Sequence, residues 1–231
     1  MREAMAGAPN DKTTQWKTTQ AAEIVTRLER EYPGAHTALK FGNNWELVVA
    51  VILSAQATDK KVNEVTADLF KKYLTVEDYA SANPAEFEQD IRQTGFFRNK
   101  TKHIIGAAQK ILGDFGGQVP PSMAELLTLP GVARKTANIV LSVAYPHRYA
   151  SDPDWGIAVD THVGRLSQRL GLAGSDDPAK IERELMEIVP REQWFELPYL
   201  LIEHGRAICA AQRPKCGECL LNDICPSAFK V

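Results

Sequence analysis

The sequence predicts an all-α fold, and three observations support that prediction. Almost no segment alternates polar and apolar residues with the period of two that is typical of β-strands. Apolar residues instead recur at helical spacing, as at Ala21, Ile24 and Leu28. Signals that stop a helix, such as Pro33 followed by Gly34, separate these segments. With 44% hydrophobic residues in 231, the chain can bury a core in one large or two small domains.

The predicted elements follow one another along the chain. Residues 1–17 are small, polar and aperiodic, which predicts a mobile tail. The segment 45–53 fits a strand or a helix by periodicity, and its length favours a buried helix. Asp59 is the predicted N-cap of the helix that follows it. The other predicted helices, apart from a pair around Pro130, cover residues 21–32, 60–73, 83–93, 100–115, 159–171, 178–188 and 195–207.

The stretch around Pro130 carries the most informative local pattern. Ser122 and Glu125 have the spacing of a capping box, which predicts a short helix just after Ser122. Pro130 and Gly131 then predict a tight turn, after which helical spacing resumes. The backbone N–H groups of residues 132–134 should lie at the start of the second helix. Unpaired donors and the helix dipole attract a phosphate there.

Lys135 lies in the first turn of this second predicted helix. A lysine amine is a nucleophile only in its neutral form. The positive end of the helix dipole and the neighbouring Arg134 both disfavour the ammonium, so Lys135 is a candidate Schiff-base lysine. The alternative is a solvated lysine on an ordinary surface helix. The predicted phosphate site beside it favours the nucleophile.

All four cysteines lie near the C-terminus, in the pattern Cys209-x6-Cys216-x2-Cys219-x5-Cys225. The N-terminus shows no signal-peptide pattern, so a bound metal is favoured over disulfides. Zinc is the usual choice for four cysteines but commonly uses two close pairs, and only one Cys-x2-Cys pair occurs here. Thiolates also hold iron–sulfur clusters, so the spacing leaves both alternatives open.

Charge and hydropathy argue against a membrane protein and allow a DNA-binding protein. The longest clear apolar run, residues 47–53, is too short to span a membrane. Without a signal peptide, this predicts a cytoplasmic protein, nucleoid-associated if it binds DNA. The net charge of −2 gives no support to nucleic-acid binding by itself. Basic residues nevertheless collect at 98–102, 134–135 and 206–215, which favours one basic DNA-binding side over scattered solvated helix faces.

The sequence Leu-Pro-Gly-Val-Ala-Arg-Lys-Thr-Ala at 129–137 resembles the helix-hairpin-helix of the endonuclease III family, which are DNA glycosylases and abasic-site lyases. It departs from the usual family pattern at Ala133, where a second glycine is common, but alanine keeps the N–H. The resemblance extends over roughly residues 21–226. Its other motifs are Leu-Ser-Ala-Gln-Ala-Thr-Asp at 53–59, Gly-Phe-Phe-Arg-Asn-Lys at 95–100, Val-Asp-Thr-His at 159–162 and the four-cysteine loop.

The resemblance implies two helical domains that flank a DNA-binding cleft. Residues 37–147 would form a six-helix barrel domain with the helix-hairpin-helix, and residues 18–36 with 148–231 an iron–sulfur cluster domain. Lys135 and Asp160 would be catalytic and would approach from opposite sides of the cleft. Asp160 is also a predicted N-cap, which alone would explain an aspartate there. The implied cofactor is a [4Fe–4S] cluster, with ligands Cys209, Cys216, Cys219 and Cys225.

The resemblance also implies a set of DNA contacts. Phosphates would be bound at the hairpin residues Gly131, Val132, Ala133 and Arg134, and on the cysteine loop at Arg213 and Lys215. Gln56 and Phe96, with Phe97 beside it, would enter the duplex and fill the gap left by an extruded base. The alternatives are a polar helix C-cap at Gln56, a core aromatic pair at residues 96–97 and merely solvated charges on the cysteine loop.

The implied function is that of a bifunctional DNA glycosylase and abasic-site lyase of base excision repair. Acting as a monomer on double-stranded DNA with damaged bases or abasic sites, it would remove oxidised pyrimidines. The Lys135 amine would form a Schiff base with the sugar, and β-elimination would cut the strand 3′ to the site. Two alternatives stay open: a monofunctional mismatch glycosylase, which typically lacks the lysine, and a non-catalytic DNA-structure-binding protein, against which Lys135 with Asp160 argues.

Overall fold

A computed structural model of the chain describes residues 11–148 and 152–231. This part of the chain contains eleven α-helices and no β-strand, which confirms the all-α prediction. The helices are α1 (Asp11–Glu31), α2 (Asn44–Leu53), α3 (Asp59–Lys72), α4 (Val76–Ala80), α5 (Pro84–Ile91), α6 (Phe97–Phe115), α7 (Met123–Leu126), α8 (Arg134–Ala144), α9 (Thr161–Arg169), α10 (Pro178–Ile188) and α11 (Glu196–Ala207). Short 3-10 turns cover Arg92–Thr94, Pro146–Arg148, Arg191–Gln193 and Cys216–Glu218. Within the described ranges, every helix is too short or too polar to cross a bilayer.

Side-chain caps fix where several helices begin. The N-cap of α3 is Thr58, whose hydroxyl accepts a hydrogen bond from the Lys61 N–H at 3.3 Å. The prediction of Asp59 as N-cap was therefore wrong by one residue. Asp59 is the first residue of α3, where its carboxylate favourably meets the positive end of the helix dipole. Ser122 caps α7 as predicted, because its hydroxyl accepts from the Glu125 N–H at 3.3 Å.

The N-terminal helix α1 is longer than the sequence predicts. It begins at Asp11, so the predicted mobile tail was wrong for residues 11–17, and residues 1–10 lie outside the described residues. Distant partners stabilise this helix. The Lys17 ammonium donates to the Leu172 carbonyl at 3.2 Å, and the Gln20 amide donates to the Leu170 carbonyl at 2.8 Å. The local sequence pattern does not indicate such distant contacts, so it could not predict this part of the helix.

The chain divides into two compact units, of which the first is Thr37–Trp155. At its centre lies α2, which packs against α3, α6 and α8. Its buried residues are Trp45 and the whole run Leu47–Leu53. A helix that is buried on all sides shows no amphipathic pattern, which is why its periodicity was ambiguous. Each fully buried large aliphatic side chain here contributes about 1.5–3 kcal/mol of stability.

The second unit comprises Gly156–Val231 and the described part of Met1–His36. Within it, α1 packs against α10 and α11, and α9 packs against the same two helices. The Arg27 guanidinium donates to the Asp223 carboxylate at 2.6 Å and to the Leu220 carbonyl at 2.9 Å. These bonds hold the N-terminal helix against the C-terminal segment that carries the cysteines.

Candidate active site and cysteine cluster

A tight hairpin joins α7 to α8. Gly131 has a φ of +80°, and a Cβ added there would lie 2.7 Å from the Cβ of His103 on α6. Both the backbone conformation and the space therefore require glycine at this position. The Val132 N–H donates to the Leu129 carbonyl at 3.1 Å, and both of these side chains are buried. The turn is thus fixed from inside and leads the chain directly into α8.

The start of α8 lacks a side-chain cap. Its N-cap residue is Ala133, whose side chain accepts no hydrogen bond. The N-cap residue therefore offers no side-chain oxygen to the first N–H groups of α8, as at many anion-binding helix starts. The sequence prediction included the Val132 N–H among the phosphate donors. That detail was wrong, because the turn itself uses this N–H.

Lys135 lies in the first turn of α8, on the face turned away from the core. The opposite face of the helix is buried, through Ala137, Val140 and Leu141. Lys135 is exposed, so its amine is accessible to a large ligand. The amphipathic pattern of α8 thus places the amine beside the uncapped N–H groups.

Gln56 and Phe96 both adopt the left-handed backbone conformation, with φ of 54° and 47°. Side chains other than glycine rarely take this conformation, and it marks strained or functional positions. Both residues are exposed, and Phe96 retains 63% of its accessible surface. The C-cap of α2 is Ser54. The structure therefore supports neither a C-cap at Gln56 nor a core position for Phe96.

Phe97 and Lys100 differ from their predicted placement. Phe97 is half-buried against the core of the Thr37–Trp155 unit, with the guanidiniums of Arg92 and Arg98 5.9 Å and 5.8 Å from its ring centre. Packing thus accounts for Phe97, and its contact with DNA stays a prediction. Lys100, one of the basic residues at 98–102, is only 3% exposed. It cannot belong to a basic surface.

Asp160 is the N-cap of α9, as predicted. Its Oδ1 accepts hydrogen bonds from the N–H groups of His162 and Val163, both at 2.8 Å. Both of these bonds go to Oδ1. The carboxylate is half-buried. The capping role is therefore real, and it also fixes the direction in which the second oxygen points.

The four cysteines are free thiols that line one cavity of the Gly156–Val231 segment, together with residues of α9 and α11. Burial raises the pKa of Cys219 and of Cys225, and the neighbouring thiol charges raise it further. Four thiols at one cavity are a suitable donor set for a cluster that would keep them as thiolates. Among the described residues, no three Cys, His, Asp or Glu side chains are grouped as ligands of a single ion.

Within the described residues, the cysteine sulfur atoms also have contacts that the spacing of the cysteines did not reveal. The Arg169 guanidinium donates to the Cys209 sulfur at 3.4 Å, and the Leu221 N–H donates to the Cys219 sulfur at the same distance. The Nε2 of His204 also lies 3.4 Å from the Cys219 sulfur. Burial lowers the pKa of His204 to about 4, so the imidazole is neutral at pH 7. No local sequence signal could have identified Arg169 and His204, because they come from α9 and α11.

Arg213 and Lys215 lie on the loop between the first two cysteines and are both exposed. The Lys215 N–H donates to the Ile208 carbonyl at 3.0 Å, which closes the loop. Arg213 has a φ of 50° within it. The loop thus presents two cations to solvent, which is compatible with phosphate binding and with simple solvation.

Comparison with known proteins identifies relatives that span most of the chain. Residues 49–191 match the family described as HhH-GPD superfamily base excision DNA repair protein. The chain is 50% identical over 212 residues to Endonuclease III of Synechocystis sp., a match that covers 92% of this chain and 94% of the relative.

Two solved structures are similar in fold and in sequence. One is a non-covalent Endonuclease III–DNA complex, at 40% identity and a TM-score of 0.85, covering 91% of this chain and 96% of that one. The other is a trapped Endonuclease III–DNA covalent intermediate, at 41% identity and a TM-score of 0.85 with the same coverage of 91% and 96%.

The hairpin predicts the effect of a methyl group at Gly131. Because a Cβ there meets His103 and the φ is positive, we expect Gly131→Ala to lower the free energy of unfolding by about 1–3 kcal/mol in urea denaturation. The matched control is Gly113→Ala in α6, where an added Cβ meets nothing within 4 Å. It should raise the free energy of unfolding by about 0.5–1 kcal/mol. Equal stability of the two variants would contradict the described turn.

Proposed function

The chain belongs to the endonuclease III family within the HhH-GPD superfamily of base excision DNA repair proteins, and from this premise we propose which of its residues perform each step. It is a bifunctional DNA glycosylase and abasic-site lyase. The observation that carries the assignment of residues is the exposed Lys135 at the uncapped start of α8. An accessible amine at this position supports a nucleophile that acts beside the proposed phosphate site.

Phosphate contacts come first. The start of α8 and the turn at Gly131 offer backbone N–H donors and a helix dipole to one DNA phosphate, and Arg134 adds a positive charge. Arg213 and Lys215 would contact further phosphates. Such contacts position the duplex without reading its sequence. They suit an enzyme that must examine any stretch of DNA for damage.

Base extrusion comes next. Removing a base from the stack costs a few kcal/mol, and the cost is smallest for a damaged base whose pairing is already weak. The exposed Phe96 ring would fill the gap by stacking, and the Gln56 amide would bond to the base left unpaired. Their strained backbone conformations support this assignment, because such conformations concentrate at functional positions.

Lys135 would then react with the deoxyribose. The neutral amine attacks C1′, the glycosidic bond breaks, and the base leaves with the bonding electrons and takes up a proton. The nitrogen loses a proton and the sugar ring opens, which gives an imine. Loss of the C2′ proton then expels the 3′ phosphate and cuts the strand. Water finally hydrolyses the imine and releases Lys135.

Asp160 would act on the same deoxyribose through its Oδ2. A carboxylate can stabilise the positive charge that develops on the sugar as the base leaves, and it can relay protons during the lysine attack. The two hydrogen bonds to Oδ1 hold the side chain in one orientation. We further propose that the damaged bases are oxidised or ring-saturated pyrimidines, that the chain acts as a monomer, and that it works on the chromosome in the cytoplasm.

The four cysteines would hold a [4Fe–4S] cluster. Their shared cavity and the N–H donors at two of the sulfur atoms support this choice, since such donors are usual around cluster thiolates. When bound, the cluster supplies iron–thiolate bonds that fix the loop between Cys209 and Cys216. The loop in turn presents Arg213 and Lys215.

Replacement of the nucleophile should abolish covalent capture. We expect Lys135→Gln to give no borohydride-trapped adduct with abasic duplex DNA and to cleave it at least about a thousandfold more slowly, because the covalent route is lost. The control is Lys71→Gln, an exposed lysine on α3 that should behave like the native protein. Undiminished trapping by Lys135→Gln would exclude this residue as the nucleophile.

Asp160→Asn separates the two roles of the aspartate. Asparagine caps helices about as well as aspartate, so the free energy of unfolding should change by less than about 0.5 kcal/mol. Base excision should nevertheless slow by about 100- to 10,000-fold, because the charge is lost. Asp160→Ala should add a stability loss of about 0.5–2 kcal/mol. If Asp160→Asn excises bases at the native rate, the carboxylate serves only as a cap.

Metal analysis tests the cluster. Protein purified without oxygen should contain about four irons per chain and show visible iron–sulfur absorbance, and Cys216→Ser should lose both. One zinc per chain, with no iron, would refute the proposed cofactor and favour the zinc alternative.

A further inference from the structure

Lys100 is the only buried lysine among residues 11–148 and 152–231. It lies in the first turn of α6, and its ammonium donates to two backbone carbonyls. One is the carbonyl of Leu53 at 2.8 Å and the other is the carbonyl of Thr94 at 2.7 Å. These two carbonyls end separate segments of the chain, the helix α2 and the 3-10 turn Arg92–Thr94. Lys100 therefore joins two places that are far apart in sequence.

A lysine in this position needs a physical reason. Burial of an ammonium is costly unless hydrogen bonds and charge compensate for it. The C-terminal carbonyls of α2 have no partner within the helix, and they form the negative end of its dipole. The Lys100 ammonium satisfies one of them. Burial still lowers the pKa of Lys100 to about 8, so the compensation is incomplete.

The two carbonyls lie a few residues before the two exposed residues that are proposed to enter the duplex. Gln56 follows Leu53 by three residues, and Phe96 follows Thr94 by two. Both residues have left-handed φ values, which the surrounding structure must impose. The Lys100 N–H also donates to the Phe96 carbonyl at 3.1 Å. One residue thus holds Phe96 through its main chain and the base of both loops through its side chain.

We propose that Lys100 is a positioning residue that sets the spacing between the Gln56 loop and the Phe96 loop, so that both side chains enter the duplex together. This inference rests on the proposed roles of Gln56 and Phe96. Two residues that fill one gap from different loops must hold a fixed separation. A displacement of either loop by about 1 Å can cost a hundredfold in rate.

A purely structural lysine would behave differently from a positioning residue. Loss of a structural lysine lowers every activity in proportion to the unfolded fraction. Loss of a positioning residue lowers only the reactions that need extrusion from a duplex. Cleavage of an abasic site in single-stranded DNA needs no such extrusion, because no helix has to be opened.

The test compares Lys100→Met with Lys110→Met, which removes an ammonium paired with Asp114 elsewhere on α6. Single-turnover excision of an oxidised pyrimidine from duplex DNA is measured beside cleavage of abasic single-stranded DNA. 2-Aminopurine fluorescence next to the lesion reports extrusion. We expect Lys100→Met to slow duplex excision about 10- to 100-fold and to reduce the extrusion signal, with single-strand cleavage within about threefold of native. Lys110→Met should match the native protein in all three.

A double-mutant cycle sharpens the result. In the Phe96→Ala background, Lys100→Met should cause little further loss of duplex excision, because both changes disable the same step. Full additivity, or an equal loss of duplex and single-strand cleavage in Lys100→Met, overturns the proposal. If Lys100→Met does not fold, Lys100→Arg decides, because its longer side chain keeps the donors but displaces the loops. A loss of duplex excision without a matching loss of single-strand cleavage then supports the proposal. If the two rates change equally, the proposal is overturned.

The same experiments separate this inference from the assignment it rests on. If Phe96→Ala and Gln56→Ala excise and extrude like the native protein, the proposed roles of those residues fail. If they slow duplex excision and Lys100→Met does not, those roles stand and the positioning role of Lys100 is refuted.

Discussion

The close approach of the hairpin to α6 is the constraint on which the Thr37–Trp155 unit depends. A Cβ at Gly131 would lie 2.7 Å from His103, and a Cβ at Gly106 would lie 3.3 Å from the Pro130 ring. Glycine at both points lets the turn lie directly on the helix. Because the turn is fixed there, α8 begins at a defined place and its first turn presents Lys135. The same helix begins just after Phe96.

One helix therefore organises two functions. The start of α6 carries Phe96, its first turn carries Lys100, and its middle supports the hairpin. The two loops proposed to enter the duplex and the proposed phosphate site thus all contact a single rigid element. A rigid helix holds such sites more precisely than loops would. In the other unit, two capping hydrogen bonds to Oδ1 orient the carboxylate of Asp160, to which we assign the second catalytic role.

The sequence could predict the features that depend on residues close together in the chain. The turn at Gly131, the cap at Asp160 and the four thiols each depend on residues close together in the chain, and their motifs carry the information. The misplaced residues depend on distant partners instead. From the sequence, Lys100 is predicted to be a surface base, but its ammonium is buried against the Leu53 carbonyl. Residues 11–17 are predicted to be a tail, but Lys17 hydrogen-bonds to the Leu172 carbonyl. His204 and Arg169 contact the cysteine sulfur atoms only because the fold brings α9 and α11 next to the cysteine segment.

The most direct test is the identity of the lysine that bonds to the sugar. Native protein is trapped on abasic duplex DNA with borohydride, digested with protease and nuclease, and sequenced by tandem mass spectrometry. The account predicts that the sugar remnant lies on the side chain of Lys135, at the first turn of α8. A remnant on the N-terminal amine or on any other lysine would contradict it.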